Sequence, residues 1–214
     1  MAEQIPIIVR EVVQTDQDLE RIVHQVAALW IDAQKTTFFP LIRRTHPMLF
    51  LSLNADAAKI LSTKRLKKAL LCKLKNRFKL IIATQEEKVV GYATVIPLHF
   101  NDEVEDFLEH ACTGECDDLS DAEKALMKNN LSSEELYIDE LMVHSSAQRR
   151  GVGTAILNYI FDDGHRHGYV RCTLTSLEKN EKASQFYEKL SFKKEKFFLN
   201  PDNVSIIIFI KKIL

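Results

Sequence analysis

A chain of 214 residues, 46% of them hydrophobic and with a formal net charge of -1, can bury a sizeable core and has no global field to draw it to nucleic acid or a membrane surface. Its start has no basic segment followed by a long apolar run, and its longest apolar stretch, VSIIIFI, has strand length; the expectation is a cytoplasmic protein without export signal or membrane span. Cys72, Cys112, Cys116 and Cys172 are then expected as free thiols, and HACTGEC lacks the second cysteine pair of a zinc finger or ribbon, so no metal is expected.

In chain order, IPIIVREVV reads as a first strand. Leu19, Ile22, Val23, Val26 and Trp30 recur at helical spacing and predict an amphipathic helix from about Asp16 to Ala33. TTFFPLIRRTHPMLF reads as an irregular link broken by Pro40 and Pro47. A second helical region is expected from about Ala55 to Asn76, apolar at Leu66, Ala69, Leu70 and Leu74 and lysine-rich on its other face. That face lacks interleaved aromatics, so it reads as solvated rather than as a nucleic-acid surface. FKLIIAT and KVVGYATVIPL, joined through QEEK, predict a hairpin.

An acidic insertion follows, at about residues 101–130 and partly helical. ELYIDELMV is a strand, and Val152, Ala155, Ile156, Tyr159 and Ile160 form the stripe of a helix. YVRCTLT is a strand whose alternation puts Cys172 in the core. Ala183, Phe186, Tyr187 and Leu190 form another helical stripe, and FKKEKFFL and VSIIIFIKKI close the chain as strands around NPDN. No repeat or flexible linker divides the chain. The expectation is a single α/β (α+β) domain, residues 1–214: a mixed, mostly antiparallel sheet flanked by helices, with the insertion as an elaboration.

The segment QRRGVG lies between a strand and a helix. A helix N-terminus offers unpaired N–H groups and positive partial charge, and can hold a phosphate or pyrophosphate. Gly151 and Gly153 let the backbone approach an anion, and Arg149 and Arg150 add charge at the rim. Ile156 stands where a dinucleotide fingerprint needs its third glycine, and no Gly-Lys-Ser/Thr follows, so neither a Rossmann turn nor a P-loop is present.

Gln148, Arg149, Arg150, Gly151, Val152 and Gly153 match the Gln/Arg-x-x-Gly-x-Gly/Ala loop of the GNAT superfamily of acetyl-CoA-dependent N-acetyltransferases, which this sequence resembles. The strand YIDELMV is similar to the family's central strand. Asn180, Ala183, Phe186, Tyr187 and Phe192 match its second motif, with Ser191 in place of the usual glycine. The resemblance is specific from about Glu135 to Phe198 and rests on element order upstream.

The resemblance implies a GNAT-like fold, acetyl-CoA as cosubstrate and direct acetyl transfer to a primary amine. Leu141, Met142 and Val143 would offer backbone groups to pantetheine and the thioester carbonyl, Gln148 through Thr154 would hold the pyrophosphate, and Asn180 would contact the cofactor or cap its helix. Tyr187 would face the sulfur as general acid, or else only pack in its helix stripe. Asp139 aligns with the acidic residue that some family members use as base, often through water; Glu140 beside it points to the opposite face of a strand, so only one of the two can serve a given cleft, and the alternative is that both are strand-flank carboxylates or substrate anchors. A competing reading is a binding module that holds acetyl-CoA without turnover. Ten carboxylates and no lysine or arginine lie between Asp102 and Glu123, which favours a cationic acceptor, a small amine or a basic peptide, if that wall reaches the cleft. Oligomeric state stays open, a homodimer included.

Overall fold

Residues 5–45, 63–75, 78–98, 134–199 and 205–213 are described by a computed structural model. The acidic insertion, HACTGEC, NPDN and the first part of the second helical region lie outside them. The strands are β1 (Ile8–Val12), β2 (Lys79–Gln85), β3 (Lys88–Leu98), β4 (Glu135–Val143), β5 (Arg171–Leu177), β6 (Lys193–Leu199) and β7 (Ser205–Lys212). They form one seven-stranded sheet in the order β1-β2-β3-β4-β5-β7-β6. β4 and β5 pair in parallel, whereas β1–β2, β2–β3, β5–β7 and β6–β7 are antiparallel. The mixed, mostly antiparallel sheet expected from the sequence is thus present.

By its internal contacts the chain divides into two compact units, Met1–Val95 with Glu140–Ile160, and Ile96–Asp139 with Phe161–Leu214. In the first, helix α1 (Leu19–Ala33) buries Ile22, Val23, Val26, Ala27 and Leu29. They cluster with Leu70 and Leu74 of α3 (Thr63–Lys75) and with Leu80, Ile82 and Tyr92 of the hairpin. The apolar stripe read from the sequence is the face that meets this core. Gln14 Nε2 donates to the Leu74 carbonyl at 2.8 Å, serving one of the acceptors that the end of α3 leaves open.

The described part of the segment expected as a broken link, residues 36–45, is helical. After α1 the chain passes through a π-helical turn, Gln34–Phe38, straight into α2 (Phe39–Thr45). Proline in a helix lacks an N–H and its ring collides with the carbonyl four residues back. The wide turn, in which the Phe39 N–H bonds to the Gln34 carbonyl, relieves that collision just before Pro40. Pro40 therefore reshapes the helix without ending it.

In the second unit, β4 runs parallel to β5 with Glu135 opposite Arg171 and Ile138 opposite Leu174. β5 then pairs along seven residues with β7. Cys172, Leu174, Ile208 and Phe209 are buried here, with Cys172 fully so. Burial pushes the Cys172 thiol well above its ordinary value, with Glu135 adding to the rise, so it is an inert core residue.

The β2–β3 hairpin turns on Glu86 and Glu87, both with positive φ (47° and 63°), while Gln85 pairs with Lys88. Two left-handed residues in a two-residue loop make the type I′ turn that matches strand twist, where Asn-Gly is preferred. Arg21 Nη1 donates to the Glu87 carbonyl at 3.0 Å and steadies the turn. Glu87→Gly should raise stability by about 1 kcal/mol, because a left-handed L-residue costs ~1–2 kcal/mol, less the entropy glycine gives up. Urea denaturation of the two proteins, compared by midpoint at equal slope, measures it.

Candidate functional site

The first unit carries the glycine loop. β4 ends at Val143, a short 3-10 turn spans Ser145–Ala147, and α4 (Val152–Arg166) begins after Gln148–Gly151. The Gln148 side chain turns back to the Val143 carbonyl (Nε2 to O, 3.2 Å). Arg149 has φ 61° and Gly151 φ 85°, with Arg150 between them, and all three are exposed. The first helical hydrogen bond of α4 runs from Ala155 N–H to the Gly151 carbonyl at 2.9 Å. The N–H groups of Val152, Gly153 and Thr154 therefore have no intrahelical acceptor, and they carry the positive end of the helix dipole. A Cβ built on Gly151 meets nothing within 4 Å. Glycine is required there by its left-handed backbone, and the space beside it is open to an anion.

Gly91 on β3 fixes where that helix starts. A Cβ there would lie 2.8 Å from Val152 Cγ1, 3.0 Å from Ile156 Cδ1 and 3.2 Å from the Met142 carbonyl oxygen. The first turn of α4 thus sits directly on the β3 backbone. Reading the sequence for chemistry overlooked Gly91; the available signal was a lone glycine inside the strand pattern KVVGYATV, which marks close approach.

The β4 residues of this unit, Glu140 through Val143, are half-buried, and Met142 packs against the α1–α3 core. Glu140 Oε2 accepts from the Tyr92 hydroxyl at 3.0 Å, and Lys73 Nζ of α3 lies 3.8 Å from Oε1. Tyr92 is fully buried and Lys73 nearly so. Lys73 also sits 5.6 Å from the Phe78 ring centroid. Glu140 thus lies between a phenol and an ammonium ion, partners that sequence reasoning did not supply because they come from β3 and α3.

The second unit carries Asp139, Asn180 and Tyr187. Asp139 is the first residue of β4 past the ladder with β5 and is half-buried. Asn180 caps α5 (Glu181–Lys189): its Oδ1 accepts from Ala183 N–H at 3.3 Å. The capping role foreseen for it is therefore filled. Tyr187 is buried on that helix with its ring 5.3 Å from Phe209, 5.7 Å from Phe192 and 5.4 Å from Phe186. Burial pushes its phenol well above the ordinary tyrosine value, with Cys172 adding to the rise. Its hydroxyl makes no hydrogen bond to another described residue, although a buried tyrosine hydroxyl ordinarily has one. The most buried charge in the unit belongs to Glu135, which accepts from Arg171 Nη2 at 2.8 Å and from the Thr173 hydroxyl. Among the described residues no group of three His, Cys, Asp or Glu could hold a metal ion, and no helix is long and apolar enough to cross a membrane.

Residues 48–192 match the model of the acetyltransferase (GNAT) family. The chain belongs to that family, which makes it an acetyltransferase with acetyl-CoA as cosubstrate. A search of curated protein sequences gives no match. Solved structures match over nearly the whole chain. The ribosomal-protein-S18-alanine N-acetyltransferase of Escherichia coli is 15% identical with a TM-score of 0.54, covering 97% of this chain and 94% of its own. An N-acetyltransferase of Staphylococcus aureus Mu50 is 13% identical with a TM-score of 0.58, covering 98% and 99%. The PaiA N-acetyltransferase of Thermoplasma acidophilum, in complex with coenzyme A, is 13% identical with a TM-score of 0.56, covering 97% and 99%. At such identities the likeness is one of fold.

Substitution separates the two glycines. Gly151→Val should cost ~1–2 kcal/mol of stability through its left-handed backbone and weaken coenzyme A binding at least tenfold. Gly91→Val should lose both stability and affinity by more, because Val152 and the Met142 carbonyl cannot both retreat. Thermal denaturation and calorimetric titration with coenzyme A read the two effects.

Proposed function

We infer that the protein transfers the acetyl group of acetyl-CoA directly to a primary amine within a single catalytic domain. The observation that carries this is the open glycine loop at the start of α4, with three first-turn N–H groups lacking helical acceptors. In this reading the Gln148–Thr154 backbone takes the pyrophosphate, with Arg149 and Arg150 at its rim. Leu141, Met142 and Val143 present backbone groups to pantetheine and the thioester carbonyl. Asn180 borders the cofactor through its capped turn.

An ammonium ion must lose a proton before it can attack. Asp139 is assigned as the base that takes it, directly or through water. Glu140 is the weaker candidate, because its carboxylate is already engaged by the Tyr92 hydroxyl and faces Lys73. The neutral amine attacks the thioester carbon and the carbonyl oxygen becomes an oxyanion held by backbone N–H donors; the nitrogen then sheds its second proton to water, and the carbon–sulfur bond breaks as the amide forms, releasing the coenzyme A thiolate, which water can reprotonate. Tyr187 is assigned to the departing sulfur. With its phenol raised above its ordinary value, it is a weaker acid than a thiol of pKa ~8.5. Its contribution is therefore a hydrogen bond donated to the developing thiolate rather than a completed proton transfer.

Tyr187→Phe keeps the ring packing and removes that donor. The variant should lose ~10²-fold in kcat with coenzyme A affinity nearly unchanged. Its stability should also change less at high pH. A buried neutral phenol with a raised value adds stability that is intact below about pH 10 and is lost as pH rises above it. Wild-type kcat in a folded Tyr187→Phe protein would leave Tyr187 a packing residue.

The acceptor is proposed to be cationic, on the strength of the ten carboxylates between Asp102 and Glu123. A thiol-release assay over polyamines, basic peptides, neutral amines and acidic amines tests this. Cationic acceptors should give the highest kcat/KM, and their KM should rise with salt, since exposed attraction is screened beyond ~8–10 Å. Turnover of neutral or acidic acceptors alone, without salt dependence, would refute it.

A further inference from the structure

The last turn of α1 carries a carboxylate whose hydrogen bonds serve the glycine loop. Asp32 Oδ2 accepts from the Ser145 backbone N–H at 3.1 Å, and Oδ1 from the Ser145 hydroxyl at 3.4 Å. Ser145 is 113 residues further along the chain and opens the 3-10 turn that leads into Gln148–Gly151. His144 completes the arrangement. Its Nδ1 accepts from Ser146 N–H at 3.3 Å and meets the Ser146 hydroxyl at 2.8 Å. Nδ1 is therefore the unprotonated nitrogen in this geometry, and Nε2, 4.0 Å from Asp32 Oδ2, carries the hydrogen.

A turn this short cannot satisfy its own first donors. Here one is met by His144 within the segment and the other by Asp32 from a separate helix. Among the described residues the other ties are His144 N–H to the Val90 carbonyl and Ala147 N–H to the His144 carbonyl, both 2.9 Å, and the loop's own Gln148 side chain to the Val143 carbonyl. Asp32 is thus the side chain of another element that fixes the stem of the loop. A carboxylate is electrostatically adverse so close to a site for pyrophosphate, unless its charge is taken up locally. Two donors from Ser145 and the facing imidazole edge do this, and the placement makes sense as a device for orientation.

We propose that Asp32 is a positioning residue for the cofactor loop: it locks the Ser145–Ala147 turn and thereby aims the N–H groups of Gln148–Thr154 at the pyrophosphate. This rests on the loop assignment above. Because α1 continues through the π-helical turn into α2, the same carboxylate makes the loop's geometry depend on the α1–α2 helix.

Calorimetric titration with coenzyme A, ADP and pantetheine tests the proposal. Asp32→Ala should weaken coenzyme A and ADP about tenfold, the size of losing hydrogen bonds to a charged group. Pantetheine, which lacks the pyrophosphate, should bind as before. Asp32→Asn keeps one carbonyl acceptor and should restore most of the affinity. Asp32→Ala combined with Ser145→Ala should be little worse than Asp32→Ala alone, since the two act through one contact. If Asp32→Ala does not fold, the near-isosteric Asn variant still decides, through a loss for ADP that pantetheine does not share. Equal affinity for coenzyme A in wild type and Asp32→Ala would overturn the proposal. So would an equal loss for pantetheine, which would mean general loosening. A wild-type protein that binds neither coenzyme A nor ADP would overturn the loop assignment itself, a distinguishable result.

Discussion

A helix that is to hold an anion must begin with N–H groups that nothing else has taken, and it must begin in a fixed place. Most of the first unit bears on that constraint. The bare backbone of Gly91 lets Val152 and Ile156 settle against β3. Gly151 supplies a left-handed turn at φ 85°, so that the chain can leave the 3-10 turn and still deliver three free donors on one end of α4. Arg149 adopts φ 61° without being glycine, a strained conformation of the kind that clusters at ligand clamps. The cost is borne by the rest of the unit, whose α1–α3 core is packed from fully buried Ile22, Val23, Val26 and Leu80.

Local pattern made much of this legible. The strand ELYIDELMV coincides with β4, Glu135–Val143, since it is bounded by a turn on one side and the glycine loop on the other. The stripe Val152, Ile156 and Ile160 is buried as expected, and Cys172 is core. Asn180 showed as a cap because capping depends on residues three positions apart. What escaped were features made by contacts distant in sequence. The Tyr92–Glu140–Lys73 cluster joins β3, β4 and α3, and no local spacing reports it. Pro40 misled for a subtler reason: the rule that proline ends a helix assumes α-helical spacing, and a π-helical turn evades the clash on which the rule depends.

Of the two adjacent carboxylates, the family resemblance puts Asp139 ahead of Glu140 as base, and the structure adds the partners of Glu140. Glu140 receives a hydrogen bond from a buried phenol and faces an ammonium ion. A carboxylate already engaged in this way by β3 and α3 suits a structural or electrostatic role more than contact with an incoming amine. Lys73 also partly cancels the field Glu140 would exert on an incoming cation. Attraction for a cationic acceptor, in the proposed reading, therefore has to come from other carboxylates, and the run between Asp102 and Glu123 is the densest in the sequence.

The proposed role of Tyr187 asks how a residue could be both core and reactive. Its ring is enclosed by Phe186, Phe192 and Phe209, which fixes the position of the phenolic oxygen while the O–H bond remains free to turn about the C–O axis. Ser191, where related sequences carry glycine, has φ 66°. Ser191 and the Leu190–Phe192 turn, with its bonds from Leu190 and Phe192 N–H to the Tyr187 carbonyl at 3.0 and 3.1 Å, close the end of α5 on Tyr187 itself. The departure from the family motif is therefore absorbed as backbone strain of ~1–2 kcal/mol at Ser191, while the turn it belongs to still brings Phe192 onto the tyrosine ring. In the proposed reading, a phenol whose oxygen is held in place this way needs little reorganisation to donate to a developing thiolate, and that preorganisation is what would turn a weak acid into an effective donor.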